Sequence, residues 1–178
     1  NMRFTKVIAA AFAATLLFSG CSEKSTLTKS GLNPEDFVSE YQGSPTALYT
    51  LTNKNGMEVC ITNFGGRIVT AMVPDKDGNF IDVVHGFSTI DEYFPQNNAT
   101  DFGAAIGRYA NRINQGKITV NGEEIQLPQN NFGHCLHGGP QGWQYKVFTV
   151  VESDDQHLKL ELISPDGDMN FPGTVTAY

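Results

Sequence analysis

Short stretches of alternating apolar and polar residues recur along most of the chain. Residues 47–52 and 57–62 flank one Asn-Gly pair, and residues 116–120 and 123–127 flank a second. Asn-Gly is favoured in two-residue β-hairpin turns, because both turn positions need a positive φ. The pattern therefore predicts a β-hairpin at each of these two places.

Further stretches of the same kind predict additional strands. They lie at 67–73, 80–85, 146–152 and 157–163, and residues 86–103 have the composition of a loop. Short strands with frequent turn signals, and no long apolar repeat of helical period, are typical of an all-β protein. We therefore predict an antiparallel β-sandwich.

The last residues of the chain, 173–178, stop in the middle of an apparent strand. A sheet that ended there would have an unpaired edge. We therefore expect the β-sandwich over residues 46–178 to be incomplete at its C-terminus, as the N-terminal part of a longer protein.

The first residues have the composition of a targeting segment. Arg3 and Lys6 precede a 12-residue, largely apolar run over 7–18, which is short for a membrane-spanning helix. Ser-Gly directly before Cys21 resembles the bacterial lipoprotein signal. We expect a signal peptide over 1–20, a lipidated Cys21, a lipid-anchored linker over 21–45 and a location in the bacterial cell envelope. The alternative is an ordinary secretory signal with an incidental cysteine.

The net charge of −7 restricts the partners of the protein. An acidic surface argues against nucleic acid and against anionic membrane surfaces, so contact with a membrane is expected only through the lipid anchor. Cys60 and Cys135 could pair or remain two separate buried thiols, and the sequence leaves this open. The cysteine and histidine spacings do not resemble a zinc site, so no metal is expected.

Two polar segments carry the candidate chemistry. Gly-Arg-Tyr-Ala-Asn-Arg-Ile at 107–113 contains Arg108, Asn111 and Arg112, and Leu-His-Gly-Gly at 136–139 contains His137. Guanidinium, amide and imidazole groups offer several hydrogen bonds, and glycine lets the backbone approach a ligand closely. Such a site suits a polyhydroxylated ligand such as a sugar.

Three motifs in this order resemble the aldose 1-epimerase (galactose mutarotase) family. They are GRYANRI at 107–113, NNFGHCLHGGPQGW at 130–143 and SPDGDMNFPG at 164–173, and the resemblance runs from about Tyr49 to Tyr178. It implies a galactose mutarotase-like supersandwich and an enzyme without a cofactor. The implied reaction interconverts the α and β anomers of free galactose or glucose by acid–base ring opening.

The resemblance also implies roles for individual residues. Asn111 and Arg112 match the family's sugar-contacting Asn-Arg pair, and His137 matches its sugar-contacting histidine. Arg108 would support the site. His134 stands where the family often has asparagine and could line the site or cap the loop, with the structural role favoured. The family's catalytic histidine and glutamate would lie beyond Tyr178, so this piece alone is expected to be inactive.

Other interpretations remain open at this point. Taken singly, Arg112 could be a structural ion-pair arginine and His137 a structural loop histidine. Trp143 and Phe102 could stack on a sugar, although a core role is favoured. The alternative function is a non-catalytic carbohydrate-binding β-sandwich, and an epimerase of phosphorylated sugars would need further cations facing the ligand. The identity of the sugar and the oligomeric state are also open.

Overall fold

The computed structural model describes residues 27–178, in which strands alternate with short 3₁₀ helices. The strands are β1 (Ser39–Tyr41), β2 (Ser44–Thr46), β3 (Leu48–Thr52), β4 (Glu58–Thr62), β5 (Arg67–Pro74), β6 (Phe80–Asp82), β7 (Arg112–Ile113), β8 (Lys117–Val120), β9 (Glu123–Gln126), β10 (Cys135–Leu136), β11 (Thr149–Ser153), β12 (Leu158–Ser164) and β13 (Val175–Ala177). The 3₁₀ helices are Pro34–Phe37, Ile90–Tyr93, Asn114–Gly116, Trp143–Tyr145 and Asp168–Asn170. Within this part of the chain, no helix is long and apolar enough to cross a lipid bilayer.

Every paired strand in the described chain is antiparallel. One sheet has the order β3-β4-β5-β6, a second has the order β11-β12-β13, and three two-stranded pairs are β1-β2, β7-β10 and β8-β9. The end of β4 is tied to the segment before β11, because Phe148 N donates to Asn63 O and Gly65 N donates to Lys146 O. The predicted all-β, antiparallel fold is confirmed.

Both predicted Asn-Gly hairpins form. The β3–β4 ladder runs from Leu48 opposite Thr62 to Thr52 opposite Glu58. In the β8–β9 hairpin, Asn121 and Gly122 have φ values of 53° and 86°, the left-handed pair that this turn requires. Asn-Gly therefore forms the predicted two-residue turn between β8 and β9. Strands β3 and β4 are instead joined by a longer turn over 53–57, in which Gly56 has a φ of 82°.

The strand expected at 80–85 is shorter than predicted. Strand β6 ends at Asp82, whose Oδ1 accepts hydrogen bonds from the backbone N–H groups of Ala71 and Val84. The Asp82 side chain thereby occupies the N–H of Ala71, a donor of β5 that a longer β6 would use. An aspartate that bonds nearby backbone in this way competes with the ladder.

The described part of the expected linker folds against the domain instead of forming a tether. Residues 27–45 contribute Leu32 and Phe37 to the main core, and Phe37 has no exposed surface. The rest of this core comes from the β4–β5 face and from the 3₁₀ helix at Ile90–Tyr93. The polar composition concealed two apolar anchors. The expected signal peptide and Cys21 lie outside the described residues.

A second, smaller core lies beneath the short β7–β10 pair. Its buried members are Leu127, Cys135 and Phe171. Cys60 belongs to the main core, so the two cysteines lie in different clusters, and both are free thiols. Of the two alternatives, the structure shows separate buried thiols.

Candidate functional site

The β7–β10 pair brings the two polar segments together. Arg112 lies opposite Leu136, and Ile113 lies opposite Cys135, in a ladder of only two residue pairs. Asn111 and His137 therefore meet at the same end of this ladder. The structure thus places the two candidate segments side by side.

Asn111 and His137 hold each other through two hydrogen bonds. His137 N donates to Asn111 O at 3.0 Å, and Asn111 N donates to His137 Nδ1 at 2.9 Å. Both residues have positive φ, 64° for Asn111 and 53° for His137, which turns the chain sharply at each. Because Nδ1 accepts, the neutral imidazole carries its proton on Nε2. The ring thus presents a hydrogen-bond donor away from Asn111.

The guanidinium of Arg112 is held from one side. Its Nε donates to Asn131 Oδ1 at 2.9 Å, and its Nη1 makes a 3.4 Å contact with Asn111 Oδ1. Arg112 is exposed, and among residues 27–178 no acceptor binds Nη2. The side chain is therefore oriented by the protein while part of its donor fork faces solvent.

Asparagines at 130 and 131 fix the segment before His137. The Asn130 side chain accepts from Leu136 N at 2.8 Å and donates to Leu136 O at 3.0 Å, and thus acts as an extra strand partner. Asn131 holds Arg112. Sequence reasoning did not single out either residue, although both belong to the second motif.

Two glycines are required by close backbone approach. Gly138 has a φ of 81°, and a Cβ there would overlap the carbonyl of Gly107. A Cβ on Gly107 would in turn overlap the indole of Trp143. Layered contact of this kind explains why the motifs contain glycine at these positions, and it gives Trp143 a supporting role beneath the site.

Arg108 binds the third motif. Its Nε donates to Ser164 Oγ, its Nη2 donates to the carbonyls of Ser164 and Pro165, and its Nη1 donates to the carbonyl of Pro172, at 2.6 to 3.0 Å. These contacts occupy all three guanidinium nitrogens of Arg108. The geometry fits the supporting role expected for Arg108.

Asp168 completes this support. It accepts two 2.7 Å hydrogen bonds from Lys146 Nζ and one from Ser164 Oγ. Burial, the largest single influence, favours the neutral carboxyl. The hydrogen bonds from Lys146 and Ser164 and the charges of Lys146 and Arg108 outweigh burial and lower the pKa of Asp168. Asp168 thus stabilises the loop as a carboxylate.

Other candidates have structural surroundings. His134 Nδ1 accepts from Gln115 N at 3.1 Å, and the His134 backbone exchanges two hydrogen bonds with Asn131. This geometry favours the loop-capping role of His134. Phe102 packs its ring against His85, with centroids 4.7 Å apart.

Arg67 is a supporting residue that sequence reasoning missed. It is fully buried, and it donates to the carbonyls of Thr100, Phe102 and Gln144 at 2.7 to 3.2 Å. Burial lowers the pKa of Arg67, and the nearby acidic Tyr145 and Asp101 offset this only in part. Arg67 joins the loop before the first motif to the loop after the second. One feature of the sequence could have pointed to Arg67: it is a basic residue that directly follows two glycines at the start of a strand.

The site as a whole offers neutral and cationic hydrogen-bond donors on an open surface. Arg112 supplies a partly free guanidinium, and His137 supplies an imidazole N–H from a side chain that is 26% exposed. Within residues 27–178, no group of three or more His, Cys, Asp or Glu side chains is placed to hold a metal ion. The arrangement can bind hydroxyl groups and stabilise a developing alkoxide.

Known proteins share this sequence and fold. The family model described as aldose 1-epimerase matches residues 47–178. An aldose 1-epimerase from Escherichia coli (strain K12) is 36% identical over 135 residues, which are 76% of this chain and 38% of that protein. A galactose mutarotase from Rattus norvegicus is 35% identical over 122 residues, which are 68% of this chain and 35% of that protein.

Solved structures agree with this relationship. An aldose epimerase homologue from C. elegans superposes with a TM-score of 0.69 at 31% identity, covering 74% of this chain and 40% of that one. A galactose 1-epimerase from Lactobacillus acidophilus NCFM gives a TM-score of 0.65 at 26% identity, with 78% and 40% covered. The chain spans well under half the length of each of these relatives. On the strength of a match that takes in both paired motifs, the chain belongs to the aldose 1-epimerase family.

Proposed function

We propose that the protein is an aldose 1-epimerase that interconverts the α and β anomers of free aldohexoses such as galactose and glucose. The observation that carries this proposal is the β7–β10 pairing, which brings Arg112 and His137 together around Asn111. Asn111 exchanges two hydrogen bonds with His137, and its Oδ1 contacts Arg112 Nη1 at 3.4 Å. The names of the relatives from Escherichia coli and Rattus norvegicus support the same reaction.

The described residues fit a binding and charge-stabilising role in this reaction. Mutarotation needs an acid and a base on opposite sides of the C1–O5 region of the sugar. Arg112 Nη2 and the His137 Nε2–H donate from one wall, to sugar hydroxyls and to the ring-oxygen region. Donors fixed in advance lower the energy of the alkoxide that forms when the anomeric hydroxyl loses its proton. Asn111 keeps both side chains in place.

The first experiment measures sugar binding by the 178-residue chain. D-galactose is titrated while protein resonances are followed by NMR. We expect saturable binding that Arg112→Ala weakens at least about tenfold, because the variant removes hydrogen bonds from a charged donor. Lys117→Ala is the control, since Lys117 is an exposed cation whose partner is Glu124. A folded chain without any saturable response would contradict the proposal.

A polarimetric assay then separates enzyme from binding module. Family resemblance assigns the acid and the base to segments beyond Tyr178. We therefore expect the 178 residues to bind galactose without accelerating the mutarotation of α-D-galactose. A polypeptide that also carries both groups should accelerate it. Binding without acceleration by such a polypeptide would favour the non-catalytic carbohydrate-binding alternative.

We also propose that the protein is a lipid-anchored component of the bacterial cell envelope. The support is the sequence alone: Arg3 and Lys6, the apolar run over 7–18, and small residues before Cys21. Metabolic labelling with an azido fatty acid in a bacterial host tests it. We expect label on the unaltered protein and none on Cys21→Ser, and equal labelling of both would refute the anchor.

A further inference from the structure

Asp101 faces the donor side of His137. Its Oδ2 lies 4.0 Å from His137 Nε2, and the Asp101 side chain is 37% exposed. We propose that Asp101 is a further sugar-contacting residue, which accepts a hydrogen bond from the same sugar hydroxyl to which His137 donates. This inference rests on the proposed function, and it names an acidic contact outside all three motifs.

The separation of the two groups suits a bridging hydroxyl. A direct N–H···O bond would need about 3 Å between heavy atoms, which is shorter than the observed 4.0 Å. An oxygen placed about 2.8 Å from both atoms would see them at an angle of about 90°. A hydroxyl group donates one hydrogen bond and accepts others, so it can accept from Nε2–H and donate to Oδ2.

The carboxylate has unused capacity as an acceptor. Asp101 Oδ1 is buried, and no residue within 27–178 donates a well-formed hydrogen bond to it. Asp101 also interacts with two neighbouring side chains. Burial is the larger influence that raises the pKa of Tyr145, and the charge of Asp101 and a side-chain hydrogen bond to it raise this pKa further. The charge of Asp101 partly offsets the lowering of the pKa of Arg67 by burial. A carboxylate offers about four lone-pair sites, so Oδ2 can accept a further hydrogen bond from a ligand hydroxyl.

The chemistry of the gap selects a neutral ligand. A cation placed there would meet the N–H of His137, and a phosphate would meet the negative charge of Asp101. A sugar hydroxyl satisfies both groups at once. The gap thus favours free sugars over phosphorylated ones.

The test compares galactose with its monodeoxy derivatives on the 178-residue chain. Dissociation constants are measured by NMR titration for the unaltered chain, Asp101→Ala, Asp101→Asn and the control Asp77→Asn. Asp77 is a turn residue whose side chain is 63% exposed and pairs with its neighbour Lys76. We expect Asp101→Ala to weaken galactose binding about tenfold to hundredfold, the range for a hydrogen bond to a charged group.

The deoxy sugars distinguish contact from mere structural support. One deoxy sugar lacks the hydroxyl that Asp101 contacts. The unaltered chain should bind that sugar as weakly as Asp101→Ala binds galactose. Asp101→Ala should bind that sugar and galactose with equal affinity. Asp101→Asn keeps one acceptor oxygen without the charge, so we expect an intermediate loss. Equal losses for every sugar, or unchanged affinity in both Asp101 variants, would overturn the inference.

The outcomes also separate this inference from the proposed function. If galactose binds and Arg112→Ala weakens it while both Asp101 variants bind normally, only the role of Asp101 fails. If the unaltered chain does not bind galactose, the proposed function fails, and the role of Asp101 fails with it.

Discussion

Replacing Arg67 with methionine should destabilise the domain more than any surface change. Methionine fills a similar volume but cannot donate hydrogen bonds. The variant leaves the carbonyls of Thr100, Phe102 and Gln144 without their donor. It also removes the cation that lies 5.4 Å from the Phe64 ring centroid.

The size of the effect follows from the contacts. Each hydrogen bond from a charged donor contributes about 1.5–3 kcal/mol, and burial of the guanidinium costs several kcal/mol in the opposite direction. Each buried carbonyl left without its donor costs about 1–3 kcal/mol, so we expect a net loss of about 3–5 kcal/mol for the three carbonyls together. That is a large part of the 5–15 kcal/mol or so by which a typical domain is stable. Arg67→Lys keeps the charge but loses the planar fork, so we expect an intermediate loss.

Urea unfolding monitored by tryptophan fluorescence measures this effect. Trp143 is the single tryptophan of the chain and directly precedes Gln144, whose carbonyl Arg67 binds. Lys76→Met is the control, because the Lys76 side chain is 86% exposed. A change below about 1 kcal/mol for Arg67→Met would refute the reasoning, since it would mean that Arg67 contributes no more than an exposed ion pair.

Three further outcomes test the support of the site. Gly138→Ala should abolish sugar binding and lower the free energy of unfolding by well over about 1 kcal/mol. The control Gly122→Ala has a similar φ and open space around it, so it should lower the free energy of unfolding by only about 1 kcal/mol. Equal urea midpoints for the two variants would contradict this. The pKa of Asp168 is lowered on folding, so its contribution is complete above the ordinary value of 3.8 and is lost as pH falls through the lower folded value. Asp168→Asn should therefore flatten the pH dependence of the urea midpoint below about pH 4, and an unchanged slope would refute it. Cys60 and Cys135, 0% and 1% exposed, should react with a thiol reagent only after unfolding, and rapid native labelling located by peptide mapping would contradict their burial.

Sequence reasoning succeeded where the determining chemistry is local. Both hairpins were predicted correctly, because the turn residues and the alternation that flanks them are close neighbours in the sequence. The meeting of Asn111 with His137 was expected from family resemblance, but the strands that achieve it were not. Strands β7 and β10 have two residues each, too short to produce an alternation pattern.

The features that the sequence did not predict depend on contacts between residues far apart in the chain. Arg67 binds carbonyls 33, 35 and 77 residues away, and no local pattern records those contacts. Asp101 approaches His137 from the loop at 100–103, which Arg67 and the backbone N–H of Ile68 hold through distant contacts. Leu32 and Phe37 were hidden in a polar stretch, since single apolar anchors do not produce a periodic signal. Long-range packing decided each of these cases.

Arg67 and Arg108, the buried and part-buried arginines of the described residues, donate mainly to the backbone, with Ser164 Oγ as the one side-chain acceptor among their hydrogen bonds. Arg67 and Arg108 donate to six main-chain carbonyls between them, at Thr100, Phe102, Gln144, Ser164, Pro165 and Pro172. Every residue type carries a carbonyl, so substitutions at these six positions keep the acceptor as long as the backbone path is kept. The loops around the proposed sugar site can therefore accumulate mutations, and with them new ligand preferences, while two arginines preserve their geometry. Substitutions are therefore tolerated at the six positions that supply the acceptor carbonyls, and they are not tolerated at the two arginines that supply the donors.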